Sequence, residues 1–406
     1  MRIIVVNDYG CINGGASQVA ISSVNALSKL GCDVTFLFAV GPLDKSVDVT
    51  KVNVIDFKFT DLLGYSSKYQ AATTGIWNSL ASKNFSRLLD EYESTETIIH
   101  FHSWTKSLTT SVMRLAIDRG FKVVVTLHDY FSICPNGGLY NFKERKHCLK
   151  QPLSLDCALT NCDARSFFQK NWRFVRAYVQ KYIGLMPVGV KNFITISDYS
   201  EDLLRPLIGL DAKYFRVKNP IDIHQKPFPN INNSKKFTFV GRLSPEKGAT
   251  IFAEAAKLAG VEGVCVGDGP LMHELRVLNS GLKFTGWLGR EDVVKHISNS
   301  RAIVFPSLWH ETQGLVVAEA AALGIPSIVS NGCAARDAVL DGKTGLLFQH
   351  GNVESLASAL QFLAKDGQAA NSLGRNAYNA YWNSPSTLDK HAYELIKVYK
   401  MMIGHL

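Results

Sequence analysis

The chain has 406 residues, 46% of them hydrophobic and 19% charged. That is ample material for packed cores, it suggests two to three domains, and it excludes disorder as the main state. Lys and Arg outnumber Asp and Glu by 44 to 35, and the formal net charge of +9 favours an anionic partner: nucleic acid, an acidic membrane surface or a phosphorylated substrate.

The opening MRIIVVNDYG holds four consecutive strongly apolar residues before Asn7 and Asp8, too few for a secretory signal. No segment approaches the roughly 18 uninterrupted apolar residues of a membrane-spanning helix. The chain therefore reads as cytoplasmic, with any membrane role peripheral.

A first strand, residues 2–6, leads into the NGGAS turn at 13–17, after which Val19, Ala20, Val24 and Leu27 recur at helical spacing before Gly31. Strand-like runs follow at 34–38, 52–55, 98–101, 123–126 and 193–196, separated by longer polar or helix-patterned stretches. This alternation predicts a parallel α/β sheet. Residues 218–236 carry three prolines and four asparagines without periodicity and read as a linker. Strands then resume at 237–240, 264–266, 282–284, 302–305, 327–329 and 346–348. The expected architecture is thus two Rossmann-like α/β domains facing across a cleft, residues 1–217 and 237–385. A last helix within 386–406 places Leu388, Ala392, Leu395, Tyr399 and Met402 on one face, which suits packing back on the first domain.

Eight cysteines are too few for a disulfide scaffold, yet four fall together at Cys134, Cys148, Cys157 and Cys162. Their spacing lacks a CxxC knuckle. It leaves two alternatives, a structural zinc site or ordinary thiols in a long irregular loop.

Ligands of open α/β sheets sit beyond the carboxyl ends of the strands, which singles out Gly14, Gly15, His128, Arg242, Lys247 and Glu311. The Gly14-Gly15 turn can present bare backbone N–H groups to a phosphate, or it can be only a tight turn. It matches neither a dinucleotide fingerprint nor a phosphate loop. FTFVGRLSPEKG, residues 237–248, delivers Arg242 and Lys247 to a strand end where a diphosphate would need neutralising. After the 302–305 strand, a loop holds Glu311 and a helix beginning near Gln313 carries Glu319. The N–H groups of Leu315 and Val316 lie in its first turn, where backbone donors are free for an anion. Carboxylates there suit sugar hydroxyls and a ribose diol.

These pieces resemble retaining glycosyltransferases of family 4, which have the GT-B fold. The resemblance rests on Gly14-Gly15, LHDY (127–130), ITIS (194–197), KNPID (218–222), FVGRLSPEKG (239–248), VGDGP (266–270), FTGW (284–287) and the pair Glu311 and Glu319 with seven residues between them. It runs along nearly the whole chain and is specific in order and spacing. The resemblance implies that Arg242 and Lys247 bind a nucleotide diphosphate, helped by backbone donors at Gly15, Leu315 and Val316. It implies that Glu319 holds ribose hydroxyls, and that Glu311 and the backbone around Gln313 and Gly314 contact the transferred sugar. His128 would lie beside the reaction centre and Leu288 at the nucleobase edge. Gln313 departs from the aromatic residue often found there, and the Cys-containing insert after His128 is absent from many members. The implied reaction is transfer from a nucleotide sugar with retention and no required metal or other cofactor, to a glycan or lipid-linked acceptor, in surface polysaccharide assembly. An epimerase of the same fold and a non-catalytic anion-binding module are the alternatives.

Residues 141–181 hold nine Lys or Arg against three acids, two thirds of the net charge in one tenth of the length. Within it Phe168, Trp172, Val175, Val179 and Tyr182 form a helical stripe interleaved with Lys170, Arg173 and Arg176. Such a helix over 168–182 either lies on an anionic bilayer near the acceptor or packs its stripe on the core. No nucleic-acid motif accompanies the charge, so nucleic acid is the least favoured partner.

Overall fold

A computed structural model describes residues 1–404 of the chain; the last two residues of the expected 386–406 helix lie outside it. In chain order the strands are β1 (Arg2–Tyr9), β2 (Asp33–Val40), β3 (Val52–Asp56), β4 (Thr97–Phe101), β5 (Lys122–Thr126), β6 (Tyr140–Asn141), β7 (Lys146–His147), β8 (Asn192–Thr195) and β9 (Lys213–Arg216). There follow β10 (Phe237–Val240), β11 (Gly263–Val266), β12 (Lys283–Gly286), β13 (Ala302–Phe305), β14 (Ser327–Ser330) and β15 (Gly345–Phe348). One sheet has seven strands in the order β3-β2-β1-β4-β5-β8-β9 and a second has six in the order β12-β11-β10-β13-β14-β15. All their pairings are parallel. β6 and β7 form a separate antiparallel hairpin.

Parallel strands need crossovers on both faces, so the central strands are buried on both sides and their sequences are continuous apolar runs. β1 shows this in its apolar run Ile3 to Val6, and burial continues through the polar Asn7 and Asp8 at its carboxyl end. In the two large sheets, the strand that sequence patterning passes over is β9, KYFR: it is an edge strand, partly exposed and flanked by charges.

No helix or strand lies between Arg216 and Phe237, the stretch expected as a linker. The chain crosses a second time near residue 386, and the Ile221 N–H bonds the Ser386 carbonyl at 2.7 Å, so the two crossings run side by side. Beyond them the helix Leu388–Met402, capped by the Thr387 hydroxyl, returns to the first sheet. It packs against the helix Gly15–Lys29, with Ala392, Leu395, Val398 and Tyr399 buried beside Ile21, Val24 and Leu27. Full burial of one such Leu contributes roughly 2 kcal/mol. Polar groups fix its register: His391 Nε2 lies 2.8 Å from Ser23 Oγ and the Tyr399 hydroxyl 2.7 Å from His100 Nδ1.

Residues 134–182 bear on the two pairs of alternatives that the sequence leaves open. The four clustered cysteines are free thiols, and no group of three or more His, Cys, Asp or Glu among the described residues is placed to hold a metal ion. The helix Phe167–Tyr182 forms, but its stripe does not pack on the core: Phe168 is 82% exposed while Lys170 is fully buried. Lys170, Arg173 and Arg176 turn toward the protein, and of the stripe Phe168, Val175 and Tyr182 face out while Trp172 and Val179 are half-buried, the Trp172 indole N–H donating to the Ala72 carbonyl at 3.0 Å. Among the described residues no helix is long and apolar enough to cross a membrane.

Candidate active site between the two sheets

In the first sheet the strand order reverses beside β1, and in the second beside β10, so each sheet opens a crevice at the carboxyl end of those strands. The two crevices face each other. A cavity of about 330 Å³ lies between them, lined by Gly15 and His128 from one side and by Arg242, Lys247, Glu311, Gln313, Gly314, Leu315 and Val316 from the other. Gly14, Leu288 and Glu319 are not among its lining residues. Glu319 is 9% exposed and pairs with Arg290 at 3.2 Å, while Leu288 is half-buried beside the exposed Trp287. Asn219, Ser307, Trp309 and Thr312 also line the cavity, and sequence reasoning missed them.

The positions of Lys247 and Glu311 follow from backbone constraints. After β10 the chain makes a single 3₁₀ turn, Pro245–Lys247, whose Glu246 carbonyl accepts from the Leu308 N–H at 2.9 Å and the Trp309 N–H at 3.2 Å. This clamps the turn to the loop after β13. The approach requires glycine at 248, where φ is +72° and a Cβ would meet the Pro306 carbonyl oxygen at 1.9 Å. Held in this way, the Lys247 ammonium bonds Glu311 Oε1 at 2.7 Å and lies 4.9 Å from the centre of the Trp309 ring. Ser307 Oγ donates to the same carboxylate oxygen at 2.9 Å. Glu311 has φ +52°, a left-handed conformation that costs a non-glycine residue roughly 1 kcal/mol or more. The surroundings impose it: its carbonyl accepts the Tyr130 hydroxyl and its neighbour Thr312 donates to the His128 carbonyl at 2.9 Å. Both partners come from the opposite sheet.

The helix after this loop runs Leu315–Ala322, two residues later than its sequence predicts, because Gly314 takes φ +88° at its N-cap. A Cβ on Gly314 would meet Ala335 Cβ at 2.6 Å. The result leaves the N–H groups of Leu315 and Val316 in the first turn, at the cavity wall. Across the gap, the position a Cβ on Gly15 would take is 4.0 Å from Leu315 Cδ1, so the glycine turn faces the helix start directly.

His128 Nε2 lies 2.9 Å from His102 Nδ1. Burial, with His391 nearby, pushes His128 down to about 3, so at neutral pH it is an uncharged imidazole. It can orient a hydroxyl but carries no proton to give as an acid. His102 follows β4 as closely as His128 follows β5; the strand-end rule points to it, and only the lack of a recognisable motif hid it. Arg242 is exposed at the cavity and forms no ion pair among the described residues. Burial raises the Glu319 carboxyl while Arg290 opposes the shift.

Two facing Rossmann-like sheets with a cleft at their switch points define a GT-B fold, and solved structures bear this out. A UDP complex of HepE from Anabaena superposes over 99% of this chain and 100% of its own, with a TM-score of 0.67 at 18% identity. A sucrose-phosphate synthase from Thermosynechococcus elongatus superposes over the full length of both, with a TM-score of 0.73 at 18% identity. Residues 13–225 match Glycosyltransferase Family 4 and residues 221–380 match Glycosyl transferases group 1. The chain belongs to glycosyltransferase family 4.

Among curated relatives, an Escherichia coli enzyme named UDP-Gal:alpha-D-GlcNAc-diphosphoundecaprenol alpha-1,3-galactosyltransferase is 34% identical over 191 residues, 43% of this chain and 48% of that one. D-rhamnosyltransferase WbpZ of Pseudomonas aeruginosa is 35% identical over 152 residues, 36% of this chain and 40% of that one. The matches span about half the length of these relatives or less.

Proposed function

We propose that the chain is a retaining glycosyltransferase that moves a sugar from a nucleotide-diphosphate donor to a glycan or lipid-linked acceptor in polysaccharide assembly. The observation that carries this reading is the convergence on one cavity of two cations, unpaired helix-start N–H groups and a carboxylate. As the glycosidic bond to the donor breaks, negative charge grows on the leaving diphosphate. Arg242, Lys247 and the N–H groups of Leu315 and Val316 stabilise that charge without rearranging. These cations supply what a divalent ion would otherwise supply, so the proposed reaction needs no metal.

Glu311 and the backbone at Gln313 and Gly314 contact the hydroxyls of the transferred sugar. The buried Gln313 Oε1 and the Trp309 indole N–H have no hydrogen-bond partner among the described residues, and both side chains line the cavity. Buried polar atoms are seldom left unpaired, and a polyhydroxylated substrate would pair them. Glu319, paired with Arg290 outside the lining, takes the ribose hydroxyls, and Leu288 flanks the base. The relatives' names, with galactosyl and rhamnosyl transfer among them, support a sugar-transfer reading and leave the sugar open.

The test is binding and hydrolysis against a panel of UDP-, GDP- and dTDP-sugars with and without EDTA, followed by NMR of the product's anomeric configuration. One donor is expected to bind and turn over with retention, unaffected by EDTA. Arg242→Ala is expected to weaken donor binding by roughly tenfold or more, as loss of a charge-assisted hydrogen bond would. Unchanged binding in both Arg242→Ala and Glu319→Ala would mean that the donor lies elsewhere.

A further inference from the structure

The helix Phe167–Tyr182 forms one wall of a second cavity, of about 410 Å³, on the first domain. Five cations line it, Lys68, Lys106, Arg165, Arg173 and Arg176, against one acid, Asp61. That acid is engaged by the Tyr9 hydroxyl. Arg173 is held by Asp163 at 3.2 Å. Arg176 has no carboxylate within ion-pair distance among the described residues. Its guanidinium reaches the Thr105 carbonyl at 3.2 Å and lies between the rings of Trp172 and Phe131, 5.1 and 5.2 Å from their centres. Withdrawal from solvent pushes it down to about 10. The Lys106 ammonium likewise makes no hydrogen bond or ion pair among the described residues. Asp8, Asp129 and Asp163 act on Arg176, and Asp8 and Asp61 on Lys106, but none of them bonds the guanidinium or the ammonium, so a multivalent anion in the cavity would supply the direct partners that these two lack.

The opening of this cavity sets exposed apolar side chains beside the exposed cations Lys68, Lys106 and Arg165. Leu63 at its edge is 72% exposed and Phe168 82%, and the exposed strip continues along the helix through Val175 and Tyr182 at seven-residue intervals. An inorganic anion would use the cations and leave the strip idle; a neutral lipid would do the reverse. An amphiphile with a compact anionic head uses both. One short segment serves both cavities, since Phe131 in this wall and His128 in the first cavity are three residues apart.

We propose that this pocket receives the diphosphate of a lipid-linked acceptor, whose hydrocarbon chain leaves along the Phe168–Tyr182 strip. Guanidinium forks suit adjacent phosphates bidentately, and the flanking aromatic rings cover the first carbons of the chain. The proposal rests on the glycosyltransferase reading, in which the first domain supplies the acceptor.

Calorimetry on the full chain with farnesyl diphosphate and farnesol tests it, with UDP binding measured on the same preparations. The diphosphate is expected to bind at least tenfold more tightly than farnesol, and the doubly substituted Arg173→Gln/Arg176→Gln chain to lose that preference. Lys106→Gln/Arg165→Gln, at exposed positions, makes the same test if the first pair fails to fold. Equal binding of farnesol and its diphosphate, or an unchanged preference in a folded Gln variant, overturns the proposal. So does binding to phosphatidylglycerol over phosphatidylcholine vesicles that farnesyl diphosphate does not displace, since the cations would then serve a bilayer surface. Failure of the donor reading shows separately, as loss of nucleotide-sugar binding in the unsubstituted chain.

Discussion

Glu311 is the residue on which the site geometry turns. It is held in a left-handed conformation, its carboxylate takes bonds from Lys247 and Ser307, and its backbone is gripped from the opposite sheet. Strain of this kind persists only where the surroundings over-determine it, and it accumulates at functional sites. Lys247 satisfies Glu311; in the proposed reaction a diphosphate competes for the ammonium and leaves the carboxylate free to accept from sugar hydroxyls. Glu311→Gln keeps the shape and removes the charge. It is expected to lower kcat by roughly a hundredfold while changing nucleotide binding only a few-fold, because the ammonium remains for the diphosphate. Steady-state kinetics against the donor identified in the panel decide this, and an unaltered kcat would remove Glu311 from the reacting centre. This residue was legible in the sequence from its place after a strand and eight positions before Glu319. Ser307, Trp309 and Thr312 were not, since nothing in their types marks them; the clamp to Glu246 and the hydrogen bond to His128 are tertiary facts.

At the scale of elements, parallel strands were readable because burial on both faces makes them continuous apolar runs, whereas edge strand β9 had no such signature. The helix Phe167–Tyr182 was readable as a helix but not in orientation. A helical pattern reports two faces without stating which one meets the protein, and here cavity-lining cations reverse the usual assignment. The β6–β7 hairpin, part of the insert after His128, carries a further role that spacing could not reveal. Its His147 ring stacks on His310 with centroids 3.7 Å apart and lies 4.5 Å from His350, while His310 Nδ1 is 2.7 Å from the Tyr199 hydroxyl. The hairpin and Tyr199 belong to the first domain, and His310 immediately precedes Glu311. The hairpin therefore braces the loop that carries Glu311 from across the cleft. His147→Ala is expected to weaken donor binding several-fold and His147→Phe, which keeps a stacking ring, to restore most of it. Equal binding by all three forms would leave the hairpin without influence on that loop.

For the whole molecule, buried imidazoles couple pH to folding and to the packing across the cleft. Burial drives His128 and His310 down to about 3, and His147 and His391 to about 4, from an ordinary value of 6.5. A histidine depressed in the folded state stays neutral there while the unfolded chain takes up protons. Stability is therefore full above pH 6.5 and is lost as pH falls from 6.5 toward the folded value. By pH 5 the deeply buried His128 and His391 each cost roughly 2 kcal/mol, a large share of the 5–15 kcal/mol typical of a folded chain. Carboxylates such as Glu319, raised by burial, act in the opposite direction and soften the loss. The unfolding midpoint is accordingly expected to fall steadily between pH 7.5 and 5, and His391→Gln to flatten that slope. His391 sits where the C-terminal helix meets the crossing, between Ser23 Oγ and the Lys218 carbonyl. His147 and His310 face each other across the cleft, and charging both sets like charges 3.7 Å apart between ring centres. Because both rings are still neutral at pH 5, donor affinity should stay level while the unfolding midpoint falls, and should drop only toward pH 4, where the His147→Phe chain should retain more of it. Melting curves and donor titrations on the same pH series separate the two effects; a midpoint level from pH 7.5 to 5 would show that these histidines are not held neutral by the fold.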